Sequence, residues 1–149
     1  MCNNNCKICH FILNGYFLKV NNFVVPFLCD SNCDAENIVY IIICKKCSVF
    51  YIGEKSKSLI VRISQHLNGV KRFVPYTKTE NEVADHFRRK GHIINEHFKV
   101  CVLQKNLLTT QIRRNIEKDL INLFIYAFNA SVLNSKIYNI HNFKQLSFV

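Results

Sequence analysis

The sequence predicts an α+β domain: a small three-stranded antiparallel sheet flanked by helices, with a Cys-rich N-terminal extension. Three observations predict it. Two β-branched and aromatic runs, residues 38–43 and 48–53, stand four residues apart, the signal of a hairpin. A third run, "HFKVCVLQ" at residues 97–104, alternates so that Phe98, Val100 and Val102 share one face. Around these strands, apolar residues recur at helical spacing.

Residues 1–35 form the extension, with "CNNNCKIC" and "CDSNC" on either side of "YFLKVNNFVVPFL". The proline there suits an edge strand, and no helix is evident. Residues 36–149 are expected to form the main domain, with both hairpin strands central in the sheet. Ser56 or Ser58 caps a helix over about residues 57–70, whose stripe is Leu59, Ile63, Leu67 and Val70. Arg62 and His66, four residues apart, share a neighbouring face of that helix. A basic loop, "KRFVPYTKTEN", leads to a short helix near residues 81–89 that Gly91 closes. Thr109 or Thr110 caps a long helix to about residue 128, with the stripe Ile112, Ile116, Leu120, Leu123 and Ala127. The tail from "SVLNS" onward has no single reading.

Composition sets the class of partner. The 149 residues carry 20 Lys and Arg against 10 Asp and Glu, a formal charge of +10. Such a balance favours a polyanion, nucleic acid first and an anionic membrane surface second, over a small-molecule substrate. No apolar stretch reaches the roughly 20 residues of a bilayer span, and no charged-then-apolar leader opens the chain. The expectation is a soluble protein of the nucleus or cytoplasm, not secreted. In a reducing compartment eight cysteines point to metal-binding thiolates rather than disulfides.

Cys44 and Cys47 have the two-residue spacing that lets one tight turn present two thiolates to a tetrahedral Zn²⁺. His86 and His92, with five residues between them, supply the other half at the upper end of the usual range. Lys45 and Lys46 between the thiolates offset their charge. The ordinary alternative is a pair of buried thiols and two surface imidazoles. Upstream, Cys2, Cys6, Cys9, Cys29 and Cys33, with His10, hold enough ligands for a second zinc or lie loose on an arm. Cys101, in the third strand, reads as a core residue.

Tyr40 in "VYI", Tyr51 to Gly53 in "YIG", Arg62, His66, Glu117 and Asn134 in "VLNS" resemble the motif order of the GIY-YIG endonucleases. The Cys pair between the half-motifs, "GE" after "YI", "HF…GH" before the third strand and the upstream cysteines are similar to the endonuclease domain of Penelope-like retroelements. The likeness spans nearly the whole chain. It implies a GIY-YIG fold and hydrolysis of a DNA phosphodiester that depends on Mg²⁺ or Mn²⁺, nicking DNA for a reverse transcriptase of the same element to prime from. It implies that Glu117 holds the catalytic ion and that Arg62 stabilises the charge of the transition state. Tyr40 would polarise the attacking water, Tyr51 and His66 would orient phosphate or share proton transfer, Gly53 would admit a phosphate close to backbone, and Asn134 would order the site. Lys71, Arg72, Lys78, Arg88, Arg89 and Lys90 would contact phosphates. Val39 replaces the first half-motif's Gly-Ile, a change such elements often tolerate, whereas two other departures weaken the implied chemistry: Lys55-Ser56 follows Glu54 where relatives mostly place Thr, and "LIVRISQH" replaces a more charged helix surface.

Singly, each of these residues has a commoner fate: strand aromatics, a solvated helix face, a helical Glu paired with Arg113. Two other functions draw on the same residues. One is a catalytically inactive, zinc-stabilised nucleic-acid-binding module; the other is a zinc-dependent protein-interaction module, which leaves Tyr51-Ile-Gly53 and the Arg62/His66 pair unexplained.

Overall fold

The computed structural model describes residues 6–71 and 82–134, so Cys2, Arg72 and Lys78 lie outside the described residues. The architecture is α+β. In the N-terminal extension, Cys9–Phe11 makes one 3-10 turn, and β1 (Phe17–Val20) and β2 (Phe23–Pro26) pair as a small antiparallel ribbon. Pro26 ends that ribbon, opposite Phe17. The ribbon's inner residues Leu18, Val20 and Val25 are buried against the main sheet, because alternation along a strand sends every second side chain inward.

The predicted hairpin is β3 (Ile38–Cys44) and β4 (Val49–Lys55), with Tyr40 opposite Gly53 and Ile42 opposite Tyr51. Its turn closes where Ser48 N–H donates to the Cys44 carbonyl at 2.9 Å. β5 (Phe98–Gln104) runs antiparallel along the other side of β3. The sheet is larger than the three antiparallel strands expected. β6 (Ser131–Val132) joins parallel to β4, giving the order β5-β3-β4-β6. A two-residue strand carries no readable alternation, which is why the sequence does not disclose it. β3 is buried along its whole length, and its unbroken apolar run reflects cover on both faces.

One face of the sheet bears Tyr40, Ile42, Phe98, Val100 and Val102. It is covered by α1 (Leu59–Lys71), by α2 (Glu82–Phe87), and by Ile8 and Phe11 of the N-terminal turn. A one-turn helix, α3 (Ile94–His97), leads into β5. The opposite face bears Val39, Ile41, Ile43, Ile52, Cys101 and Leu103 under the β1-β2 ribbon and α4 (Thr110–Asn122).

The cap of α4 is Thr109, whose Oγ1 accepts from Ile112 N–H at 3.2 Å. The stripe on α4 is phased differently from the apolar spacing. Ile112 is 47% exposed, and the buried positions are Arg113 and Ile121, followed by Phe124 in a wider π turn over Leu123–Ala127. Arg113 takes a core position because it is fully satisfied there. It bonds Glu54 at 2.9 Å, Asn37 Oδ1 at 3.1 Å, the Leu107 carbonyl at 2.7 Å and Thr110 Oγ1 at 3.0 Å. No helix among the described residues is long and apolar enough to cross a membrane.

Candidate functional site

Four of the sequence-predicted residues converge on one face of the sheet. β3 presents Tyr40, β4 presents Tyr51, and α1 lays Arg62 and His66 above them, one helical turn apart. Arg62 Nε donates to the Tyr40 hydroxyl oxygen at 2.9 Å, and the hydroxyl stands 3.0 Å from His66 Nε2. The oxygen accepts from Arg62, so its own proton is available to the imidazole, and in the tautomer with Nε2 unprotonated the phenol donates to it. Arg62 also lies close enough to Tyr51 for the phenol to bear on its charge, and the Tyr51 ring packs edge-on against His66 at 5.4 Å. The result is a phenol–imidazole pair beside a fixed cation.

The electrostatics follow from burial. Tyr40 and His66 are buried, whereas Tyr51 and Arg62 are half-buried. Desolvation raises the Tyr40 phenol far above its ordinary range, with the Tyr51 phenol and Glu117 adding to the rise and Arg62 opposing it. Tyr51 is raised by burial as well. At neutral pH both are therefore neutral phenols that donate a proton rather than carry charge. Burial works against the Arg62 cation, yet the two phenols beside it more than compensate and raise its pKa.

Glu117 comes from α4, the helix on the opposite face, and its charge bears on both phenols. So does a carboxylate that sequence reading overlooked. Glu82, at the start of α2, acts on Tyr51, and no motif or spacing marks it. Asn134 also has a defined role: its Oδ1 accepts from Ile52 N–H at 3.1 Å and its Nδ2 donates to the Ile52 carbonyl at 2.7 Å. It thus extends β6's grip on β4 by imitating one more peptide, next to Gly53. Gly53 itself is occupied by Tyr40, because a Cβ there would stand 2.5 Å from the phenol's Cζ and Oη. The close approach it permits in this structure is that of a ring.

The second constellation lies at the hairpin tip. The ligand atoms of Cys44, Cys47, His86 and His92 all fall within 4.8 Å of one another, so the predicted four are brought together and can hold a metal ion such as zinc. Both ring nitrogens of buried His86 lack a hydrogen-bond partner among the described residues, the state of an imidazole waiting for a Lewis acid. His92 Nδ1 is 3.0 Å from the Arg89 carbonyl, which fixes the tautomer and turns Nε2 toward Cys47 Sγ at 3.4 Å. Desolvation raises the Cys44 thiol and lowers His86, so an incoming ion displaces a thiol proton and meets a neutral imidazole. Lys46 Nζ donates to the Gly91 carbonyl at 2.8 Å, tying the turn to the loop after α2.

In the N-terminal region the sulfurs of Cys6, Cys9 and Cys33 meet within 4.8 Å, a second group whose spacing suits a metal. Cys9 is disulfide-bonded, so metal there requires its reduction. Cys29 is not in the group; its thiol faces the Val102 carbonyl at 3.9 Å. Cys101 is a core thiol, as expected, and burial pushes it up to about 12. Of the described cations expected at phosphates, Lys71, Arg89 and Lys90 are exposed, while Arg88 is engaged by Asp85 and the Ala84 carbonyl. No family model, curated protein or solved structure matches the chain.

Proposed function

We propose that this chain is a divalent-metal-dependent DNA endonuclease of the GIY-YIG type that nicks one phosphodiester at a time, with zinc as a structural ion at the hairpin tip. The observation that carries the reading is the Tyr40 hydroxyl held between Arg62 at 2.9 Å and His66 at 3.0 Å. A phenol whose oxygen takes a proton from water as its own proton passes to the imidazole, with a guanidinium beside it, stays neutral throughout and is the equipment for activating water against a charged phosphate. Burial of Tyr40 keeps the pair dry and oriented, and half-buried Tyr51 and Arg62 form its solvent side. Arg62 faces the negative charge that the transition state gains.

Glu117 and Glu82 fit a hard divalent ion through their carboxylate oxygens. When bound, Mg²⁺ or Mn²⁺ supplies charge neutralisation of the scissile phosphate and of the leaving oxygen. A formal charge of +10 supplies the attraction to DNA. The biological setting proposed is a retroelement domain in the nucleus or cytoplasm, whose nick provides the end from which a reverse transcriptase primes.

The test is supercoiled plasmid incubated with zinc-loaded protein, with and without Mg²⁺ or Mn²⁺, alongside Glu117→Ala and Arg62→Ala. Metal-dependent nicking that both substitutions abolish is the expected result. One observation favours a second reading, a binding module that has lost its chemistry: Tyr40 is 0% exposed. That reading predicts salt-sensitive retardation of intact plasmid in every lane and indifference to Glu117→Gln.

A further inference from the structure

A groove of about 630 Å³ opens between α1, the N-terminal 3-10 turn and α3. It is distinct from the phenol–imidazole site. At about 100° per residue, Ser64, Asn68 and Lys71 fall on a different flank of α1 from Arg62 and His66. Its size is that of a site for one small organic group. Its lining is chemically ordered: the exposed His10 ring and Ile93 stand with half-buried Leu67 and Val70 as ring and apolar surface, Asn68 and Asn95 bring side-chain amides, and Lys7 and Lys71 bring positive charge. Among the described residues, no carboxylate lines it.

We propose that this groove binds a single unpaired nucleotide of a DNA strand. The His10 ring and Ile93 provide the surface on which a base stacks, the two amides present donors and acceptors to its edge, and Lys7 and Lys71 take its phosphate. An extended peptide is disfavoured because the walls are helical and offer no strand edge for main-chain pairing. An apolar helix is disfavoured because two amides and two ammonium groups stand among the lining residues. A base inside a duplex cannot enter a concavity without leaving its stack, so the occupant is an unpaired nucleotide away from the scissile phosphate. The assignment of the occupant to DNA rests on the endonuclease reading; the groove's chemistry does not.

The experiment titrates the ¹⁵N-labelled, zinc-loaded full chain with a 5′-phosphorylated thymidine dinucleotide and, separately, with inorganic phosphate. The expected result is movement of the Asn68 and Asn95 side-chain amide signals with the dinucleotide only. Asn68→Leu and Lys71→Glu should each weaken that binding about tenfold, or ~1.4 kcal/mol. Both positions are exposed, so both variants retain the fold, which their backbone spectra verify. Equal shifts from phosphate alone, silent amides, or unchanged affinity in both variants would overturn the proposal. Plasmid nicking is read in parallel. Nicking with a silent groove overturns the groove alone, and groove binding without nicking overturns the endonuclease alone.

Discussion

The Tyr40 ring lies across the Cα of Gly53, its cross-strand partner, filling the space where any other residue would carry a Cβ. The glycine therefore sets the height at which the phenol sits beneath Arg62 and His66. Gly53→Ala must push the ring upward or part the strands. The expected cost is about 1–3 kcal/mol of stability, as for other overpacked sites. Urea denaturation measures it, and the diagnostic is a cycle with Tyr40→Val. The alanine should cost little once the ring is gone, and an undiminished cost would mean that backbone conformation, not the ring, demands glycine.

The raised phenols fix the direction of an alkaline transition. Tyr40 and Tyr51 hold their protons more tightly when folded than when unfolded, where a phenol titrates near about 10. The stability they contribute is fully present below that value and is lost as pH rises past it. Ultraviolet titration should show two of the six tyrosines ionising only together with unfolding. Tyr40→Phe should move the alkaline unfolding midpoint upward; a midpoint unchanged by it would place the linkage elsewhere.

Much of the frame was legible because it is local. The β3-β4 turn, the β5 alternation and the Thr109 cap each declare themselves within a few residues. The Cys44, Cys47, His86 and His92 set was legible too, since tetrahedral coordination constrains spacing in sequence. What stayed hidden depends on distant partners. Arg113 gains a core position only because Glu54, 59 residues away, meets it, and apolar counting chose Ile112 instead. Glu82 reaches Tyr51 through tertiary packing of α2, for which no motif exists.

That ion pair makes its own forecast. Arg113 is buried and donates to Glu54, Asn37, Leu107 and Thr110. Arg113→Ala leaves those acceptors unsatisfied and should cost about 3–5 kcal/mol, whereas Arg113→Met, which fills the volume, should be milder in company with Glu54→Gln. Thermal unfolding of Arg113→Ala and of the double variant decides it. A loss under about 1 kcal/mol for Arg113→Ala would equate the pair with exposed salt bridges.

The metal tetrad joins a turn to a helix across 45 residues, with Cys47 and Lys46 on one side and His92 and Gly91 on the other. Its loss should therefore be felt unevenly. Zinc-loaded protein is expected to carry one equivalent held at this tetrad, and Cys44→Ser or His86→Ala should each release it. In hydrogen exchange, metal removal should deprotect residues 45–48 and α2 while β3 before Cys44 and β5 stay protected, because the opposite face of those strands is held by a core that contains no tetrad residue. Full unfolding on chelation would instead make the ion indispensable to the fold, as in zinc-finger peptides, where it contributes about 10–16 kcal/mol. Unchanged metal content in both variants would remove the ion from the tetrad. On the endonuclease reading, nicking assays on the released form then separate roles: since α2 carries Glu82, whose charge bears on Tyr51, any nicking should fall with α2 order although the tetrad does not include the Tyr40 hydroxyl.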